Sequence, residues 1–274
     1  MLLHSLLTTA DIGVFDSGLG GLSVLREIQR QAPGASVLYL ADTANVPYGD
    51  KPIAVVRDLA LKLTDKLVDA GVQLVIMASG TSTVAGLDAA QSRYPLLPLV
   101  GTIMPGALAA VSGTHGPIGV LATNATVQSR AFTEAVQSLD PSRQVIEIGC
   151  PKFVPLVETG RAETQNAEEA ALEYLQPLHD AGTQTIILGC THFPFLLSAL
   201  RHAVAQIGDP GFDPVFVDPS EAAVRAALAL LPSTFQEQPA GAVHFAASGV
   251  PEDFRRFASL LLGTQVSCVA PLAL

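Results

Sequence analysis

The stretch Thr185–Leu197, TIILGCTHFPFLL, decides the predicted fold of this chain. Its first four residues are β-branched or aliphatic, which is typical of a parallel strand buried on both faces. Gly189 ends this run, and Cys190, Thr191 and His192 follow where a loop leaves the carboxyl end of the strand, the place where ligands bind in open α/β sheets. A thiol near an imidazole can move a proton, attack a carbonyl or bind a metal. These three residues are therefore candidate site residues, although a buried structural cysteine beside a hydrogen-bonded histidine gives the same pattern.

A similar segment occurs earlier in the chain. Asp69–Thr81 reads DAGVQLVIMASGT, and Asp180–His192 reads DAGTQTIILGCTH. Two copies of one unit predict two similar α/β lobes. If the lobes face each other, their equivalent strand ends line one cleft, and Ser79 lies opposite Cys190.

Composition narrows the class of protein. The 274 residues are enough for one large or two ordinary domains, and 49% hydrophobic against 15% charged residues allows a sizeable core. The net charge of −10 argues against nucleic acids and anionic membranes as partners, and no apolar run is long enough to span a bilayer. The N-terminal MLLHSLLTTAD lacks a basic segment and a clear cleavage site, so we interpret it as an irregular N-terminus and not as a signal peptide. Three cysteines without metal-ligand spacing favour a reducing compartment, the cytoplasm, and predict neither disulfides nor a metal site.

Segments with strand and helix patterns alternate along nearly the whole chain, which predicts mainly parallel sheets. The predicted lobes span residues 1–100 and 101–210, and we expect 211–274 to pack back on the first lobe. The predicted strands are 11–15, 36–41, 96–102, 117–122, 145–150, 185–188, 215–218 and 243–247, and the predicted helices include 53–68, 129–139, 162–178, 195–204, 221–231 and 252–262.

Polar residues follow several of these predicted strands. Asp16 and Ser17 precede a glycine-rich turn and a helix, an arrangement that can hold an anion or simply cap the helix. The turn is not a dinucleotide-binding fingerprint, because GLGGLS lacks the third glycine in register. The other candidates are Tyr48 and Gly49 near the tip of a polar loop, Ser79, Gly80 and Thr81 after the first copy of the repeated strand, Thr123 after strand 117–122, and Glu158 after an apolar segment.

Taken together, these segments resemble glutamate racemases of the cofactor-independent aspartate/glutamate racemase superfamily. The matching motifs are IGVFDSGLGGLSVL, YLADTANVPYGDKP, CPKFVPLVE and ILGCTHFPFL, in the family's order and spacing over nearly the whole chain. The resemblance implies two α/β lobes related by pseudo-twofold symmetry, with the active site in the cleft between them. It also implies inversion at Cα of free glutamate by two thiols on opposite faces of the substrate, which supplies D-glutamate for peptidoglycan. No pyridoxal phosphate or other cofactor is implied, and family members often form homodimers.

The resemblance also implies roles for individual residues. Cys190 matches the second catalytic cysteine, and His192 can tune the pKa of that thiol. Asp16 is expected near the first acid/base group and Glu158 near the second thiol. Thr123 is a further candidate contact because it follows the predicted strand 117–122. The expected substrate contacts are Asp16, Ser17, Tyr48, Gly49, Gly80, Thr81, Thr123, Thr191 and His192.

The first catalytic motif departs from the family pattern. The family's Ala-Cys-Asn-Thr is here Ala78-Ser79-Gly80-Thr81, so Ser79 replaces the first catalytic cysteine and Gly80 replaces the asparagine. A serine hydroxyl has no thiolate-like form near neutral pH, and no histidine adjoins Ser79 in the sequence to activate it. We therefore expect impaired racemisation, since losing one proton donor or acceptor costs about 10²–10⁴-fold.

Three functions stay open. The first is a glutamate racemase with an altered first site. The second is a one-thiol decarboxylase or isomerase resembling arylmalonate decarboxylase, whose small first-site pocket is similar to Gly80-Thr81-Ser82 and in which Cys190 would protonate an enediolate from one face. The third is a catalytically inactive protein that binds glutamate. The match over the rest of the chain favours the first.

Overall fold

The structure is a computed structural model that describes residues 10–113, 115–231 and 240–274. The expectation for the first nine residues lies outside the described residues. The chain divides into two compact units: unit 1 is Met1–Thr102 with Ser220–Leu274, and unit 2 is Ile103–Pro219. No helix in the described ranges combines the length and the apolar composition that crossing a membrane requires.

The elements follow one another in the alternating order that the sequence predicts. The strands are β1 (Ile12–Asp16), β2 (Val37–Ala41), β3 (Leu74–Met77), β4 (Leu99–Gly101), β5 (Ile118–Ala122), β6 (Val145–Gly149), β7 (Thr185–Leu188), β8 (Val215–Val217), β9 (Val243–Ala247) and β10 (Ala270–Pro271). The helices are α1 (Leu22–Gln31), α2 (Ile53–Asp69), α3 (Gly80–Arg93), α4 (Ile103–Gly113), α5 (Asn124–Ser129), α6 (Ala131–Leu139), α7 (Phe153–Glu158), α8 (Gln165–Asp180), α9 (Leu197–Ile207), α10 (Pro219–Leu228) and α11 (Pro251–Leu262). Single 3₁₀ turns cover Tyr48–Asp50 and Phe193–Leu196.

Both sheets are parallel, which confirms the predicted α/β class. The sheet of unit 1 has the strand order β10-β9-β2-β1-β3-β4, and the sheet of unit 2 has the order β6-β5-β7-β8. The run β2-β1-β3-β4 therefore has the same connectivity as β6-β5-β7-β8. The repeated sequence segment explains this likeness: in both copies a glycine with positive φ, Gly71 (78°) or Gly182 (67°), lies between a long helix and the strand that follows.

The central strands are apolar because both of their faces are covered. Every residue of β1, β2, β3, β5 and β7 is buried. Helix α2 shows how the covering layer forms, because its buried positions, among them Val56, Ala60, Leu63 and Leu67, recur at helical spacing. Burying each such valine or leucine side chain contributes about 1.5–3 kcal/mol.

The sequence predicts several element boundaries wrongly. The strand predicted at 96–102 is shorter in the structure, where β4 covers only Leu99–Gly101. The chain at 94–97 forms a turn in which Leu97 N–H donates to the Tyr94 carbonyl (3.1 Å). The helix predicted at 129–139 corresponds to α6, and the sequence prediction missed the short helix α5 before it; Arg130 in the left-handed conformation (φ 57°) separates the two. The helix predicted at 221–231 begins earlier and ends at Leu228.

Candidate active site

Cys190 lies just after the carboxyl end of β7 in unit 2, and its side chain is partly accessible. The residue before it must be small. A Cβ atom on Gly189 would lie 2.7 Å from the Phe132 ring and 3.0 Å from the Leu121 carbonyl oxygen. The Gly189 N–H donates to that same oxygen (2.7 Å), which fixes the point where the loop carrying Cys190 leaves the sheet.

A chain of hydrogen bonds leads from this thiol to a carboxylate. Cys190 Sγ lies 3.6 Å from Nδ1 of His192, and Nε2 of His192 lies 2.6 Å from Oε1 of Glu158, the last residue of α7. The structure thus brings together three of the predicted catalytic residues. A thiol, an imidazole and a carboxylate in this order can take up, store and return a proton.

The imidazole of His192 is buried, yet its surroundings favour the charged form. Burial lowers the pKa of His192, but the hydrogen bonds to Cys190 and Glu158 outweigh burial and hold this pKa well above its ordinary value of 6.5. An imidazolium so placed lies beside the sulfur and can neutralise negative charge that develops there.

Aromatic side chains hold the two parts of this hydrogen-bond chain together. Phe153 of α7 meets Phe193 edge to face, with ring centroids 4.9 Å apart and planes at 86°. Phe153 meets Tyr174 in the same way at 5.0 Å and 85°. Both phenylalanines are fully buried, so α7 with Glu158 is packed directly against the turn that follows His192.

Unit 2 places two other polar groups near the ends of neighbouring strands. Thr123 follows β5 and caps α5, since its hydroxyl accepts from Thr126 N–H (3.4 Å). Cys150 follows β6 and is buried; its thiol donates to the Ile148 carbonyl (3.4 Å), and burial, followed by the charge of Cys190, raises the pKa of the Cys150 thiol. Thr191 is buried beside Cys190.

In unit 1, Asp16 ends β1 and is fully buried. Its Oδ1 accepts from Gly18 N–H (3.2 Å). The N-cap of α1 is Gly21, without a side-chain cap, so the interpretation that Asp16 and Ser17 cap this helix is wrong. Asp16 instead shapes the turn between β1 and α1 through its bond to Gly18, and Ser17 is buried in that turn.

Tyr48 lies in the loop after β2, and its phenol is tied to that strand end. Its Oη donates to Oδ2 of the buried Asp42 (2.6 Å). Burial first, and then the charge and hydrogen bond of Asp42, raise the pKa of the Tyr48 phenol. Gly49 follows in the same 3₁₀ turn and is partly exposed.

Ser79 lies after β3, with Gly80 and Thr81 buried beside it. It is the N-cap of α3, and its hydroxyl accepts from Ser82 N–H (3.3 Å). Within the described part of the chain, this hydroxyl makes no hydrogen bond to an imidazole or a carboxylate. The capping alternative for this segment is confirmed.

The family model for the Asp/Glu/Hydantoin racemases matches residues 12–227. The chain belongs to this racemase family. A glutamate racemase of Desulforudis audaxviator is 39% identical over 273 residues, covering 96% of this chain and 97% of the relative. A glutamate racemase of Gloeobacter violaceus is 43% identical over 248 residues, covering 90% of each chain. These matches confirm the resemblance predicted from the motifs.

Solved racemase structures agree with this assignment. Glutamate racemase isoform RacE1 from Bacillus anthracis superposes with a TM-score of 0.89 at 30% identity, over 97% of this chain and 98% of that chain. Glutamate racemase from Francisella tularensis, solved in complex with D-glutamate, superposes with a TM-score of 0.85 at 28% identity, over 96% and 97% of the two chains. The chain is therefore a glutamate racemase-like protein.

Sequence reasoning missed several residues that contact the candidate site residues or the segments that carry them. Asp42 lies inside the quoted motif YLADTANVPYGDKP, and Phe153 and Phe193 lie inside CPKFVPLVE and ILGCTHFPFL. Their position in these motifs was the available signal, because the contact between Phe153 and Phe193 and that between Asp42 and Ser248 join segments far apart in the chain. The described residues contain no group of three or more His, Cys, Asp or Glu side chains arranged to hold a metal ion.

Proposed function

We propose that this racemase family member carries out the cofactor-independent Cα proton transfer that interconverts L- and D-glutamate, with inversion impaired by Ser79, and that it works in the cytoplasm as a source of D-glutamate for peptidoglycan. The observation that supports this best is the hydrogen-bond chain Cys190–His192–Glu158 in a protein whose relatives are glutamate racemases. The D-glutamate complex of the Francisella tularensis relative supports an amino-acid substrate.

In the proposed chemistry, the Cys190 thiolate takes the proton from Cα. The electron pair of the broken C–H bond moves into the carboxyl group and forms an enediolate. Return of a proton to the same face restores the starting enantiomer, whereas return to the opposite face inverts it. His192 stabilises the sulfur charge and exchanges protons with it, and Glu158 keeps the imidazole charged and oriented.

Inversion needs a second proton donor or acceptor on the other face of Cα, a role that the family resemblance gives to position 79. Here that residue is Ser79, whose hydroxyl caps a helix. We expect the hydroxyl to serve this role poorly, with a loss of about 10²–10⁴-fold. Exchange of the Cα proton without inversion is then the dominant reaction.

Hydroxyl and backbone groups near the strand ends are proposed to bind the substrate. Their N–H and O–H donors suit carboxylates, and the carboxylate of Asp16 suits the ammonium group or assists a neighbouring base. The proposed contacts are Asp16, Ser17, Tyr48, Gly49, Gly80, Thr81, Thr123, Thr191 and His192.

The test follows the Cα proton of glutamate by proton NMR in D₂O, with a chiral assay on the same samples. L-glutamate and D-glutamate are measured separately with the parent chain, with Cys190→Ala, and with the double variant Ser79→Cys, Gly80→Asn. Cys268→Ala is the matched control, because Cys268 is an exposed thiol outside the proposed site.

We expect the parent to exchange the Cα proton of one enantiomer without inversion and the double variant to invert both. Cys190→Ala should abolish exchange, and Cys268→Ala should leave it unchanged. If neither the parent nor the double variant exchanges either enantiomer, the racemase proposal is wrong.

A one-thiol decarboxylase is the second candidate, favoured by the Gly80-Thr81-Ser82 sequence and by the buried Ser82 hydroxyl, which has no hydrogen-bond partner within the described residues. Release of CO₂ from an arylmalonate that depends on Cys190 would support it. Binding of glutamate without any exchange would instead indicate a binding protein.

A further inference from the structure

Asp42 is the centre of a buried cluster of polar side chains in unit 1, which we call the Asp42 cluster (Asp42, Asn45, Tyr48 and Ser248). The phenol of Tyr48 donates to Oδ2 of Asp42 (2.6 Å), and the hydroxyl of Ser248 and the amide of Asn45 donate to Oδ1 (2.5 and 2.9 Å). Asp42 itself is fully buried. A buried carboxylate is tolerated when its oxygens are hydrogen-bonded, and here both oxygens are engaged by side chains of the protein. Asp42 is therefore placed to orient its neighbours and not to bind a ligand.

Ser248 joins this cluster from the C-terminal part of the chain, just after β9. Its hydroxyl also accepts from Ala44 N–H (3.0 Å), and its own N–H donates to the Ala41 carbonyl (3.0 Å). The next residue, Gly249, donates its N–H to Thr43 Oγ1 (2.9 Å). The C-terminal segment is thus hydrogen-bonded to successive residues at the start of the loop that follows β2.

The same cluster is linked to the end of the neighbouring strand β1. Asp42 N–H donates to the carbonyl of Asp16 (3.0 Å), and the charge of Asp16 acts on the Tyr48 phenol. The loop and Asp16 therefore lie at the same end of the sheet, at the carboxyl ends of its parallel strands, where ligands bind in such sheets.

We propose that Ser248 is a positioning residue for the loop 42–50, which carries Tyr48 and Gly49. It acts through Asp42 on the phenol of Tyr48 and hence on Gly49. This inference rests on the proposed function, in which Tyr48 and Gly49 contact glutamate. Ser248 differs from the residues assigned above, because the hydrogen bonds described for it go to Asp42, Ala44 and Ala41. Its loss should weaken glutamate binding and leave proton transfer at Cys190 unaltered.

The main variant is Ser248→Ala, and its matched control is Ser259→Ala. Ser259 is also a partly buried serine of the C-terminal segment with two hydrogen bonds, one to the Arg255 carbonyl (2.7 Å) and one from Val266 N–H (3.0 Å), but it lies outside the Asp42 cluster. Two experiments are made: amide hydrogen exchange of peptides covering residues 42–51, and a rate assay that gives the KM and maximal rate of Cα-proton exchange on glutamate. Asn45→Ala removes another donor to the same Asp42 oxygen and serves as a second variant if Ser248→Ala fails to fold.

We expect Ser248→Ala to speed amide exchange in 42–51 and to raise the KM by about 3- to 10-fold, as for the loss of one hydrogen bond, at an unchanged maximal rate. Combined with Tyr48→Phe, it should add little to the effect of Tyr48→Phe alone, because both act through Asp42. Ser259→Ala should change neither quantity.

The inference is overturned if Ser248→Ala behaves like Ser259→Ala in loop exchange, or if the loop loosens while the KM stays the same. A parent chain that neither exchanges nor binds glutamate would refute the proposed function. Amide exchange in 42–51 would in that case still decide whether Ser248 positions the loop.

Discussion

Replacing Glu158 with glutamine tests the charge pair at the centre of the proposed site. The Glu158 Oε1–His192 Nε2 distance is 2.6 Å, and the exposed fractions of the two side chains are 23% and 3%. A hydrogen bond between charged groups contributes about 1.5–3 kcal/mol, and the partial exposure of Glu158 favours the lower half of that range. We expect Glu158→Gln to lower the free energy of unfolding by about 2 kcal/mol at pH 6, roughly a 30-fold change in the folding equilibrium.

The effect should depend on pH in a defined direction. The pKa of His192 is raised in the folded state above its ordinary value of 6.5, which we take for the unfolded chain. Below about pH 6.5 the imidazole is charged in both states, and the pair contributes fully to stability. As the pH rises from there through the folded-state pKa, the folded protein loses this proton and the contribution disappears. The cost of Glu158→Gln should therefore be largest near pH 6 and smaller at alkaline pH.

The measurement is chemical unfolding of the parent and the variant, followed by circular dichroism at a series of pH values from 6 to 10. Glu168→Gln is the matched control, because Glu168 Oε1 lies 2.8 Å from Nδ1 of His202 in an exposed pair of the same chemical type. Exposed pairs contribute about 0–1 kcal/mol, so this control should change stability little. If Glu158→Gln costs no more than Glu168→Gln at pH 6, or if its cost grows as the pH rises, then Glu158 does not hold His192 in its charged form.

Two further predictions concern the packing around the site. Ser82→Ala should leave the free energy of unfolding unchanged or raise it by up to about 1 kcal/mol, because the buried Ser82 hydroxyl has no hydrogen-bond partner among the described residues. Thr83→Val should lower the free energy of unfolding by about 1–2 kcal/mol, because the Thr83 hydroxyl donates to the Ser79 carbonyl (3.0 Å). Chemical denaturation of both variants checks this pair, and a Ser82→Ala cost above that of Thr83→Val would contradict it. Phe153→Leu should cost about 1–3 kcal/mol and lower the pKa of His192 in an NMR titration, since the edge-to-face contact with Phe193 holds α7 in place; an unchanged His192 pKa would show that Phe153 is only a packing residue.

Most of the fold could be predicted because its signals are local. Each of the repeated segments, Asp69–Thr81 and Asp180–His192, contains its own turn glycine and its own apolar strand. Strands β3 and β7 can therefore be predicted without knowledge of any distant contact. The sequence failed where a residue adopts a conformation that its type does not favour. Arg130 separates α6 from the preceding helix α5 by adopting the left-handed region, which a residue with a Cβ rarely enters, and nothing in the local pattern indicates that break.

In the candidate site, too, contacts between residues close in sequence could be predicted, and contacts between distant residues could not. Cys190 and His192 are two residues apart, so their contact was predictable from one motif. The bond between Ser248 and Asp42 joins residues 206 positions apart, and a single sequence gives no means of pairing them. The residues proposed to carry the chemistry were therefore easier to find than those proposed to orient them.

Ser79 explains how the fold can tolerate a change at the position where the family resemblance expects a catalytic cysteine. Serine is among the preferred N-cap residues of helices, and the Ser79 hydroxyl accepts from Ser82 N–H at the start of α3. The backbone carbonyl of Ser79 also accepts from the Thr83 N–H (2.9 Å) in the first turn of the helix. Neither contact needs a thiol, so the local structure after β3 is satisfied by serine while the capacity to ionise near neutral pH is absent.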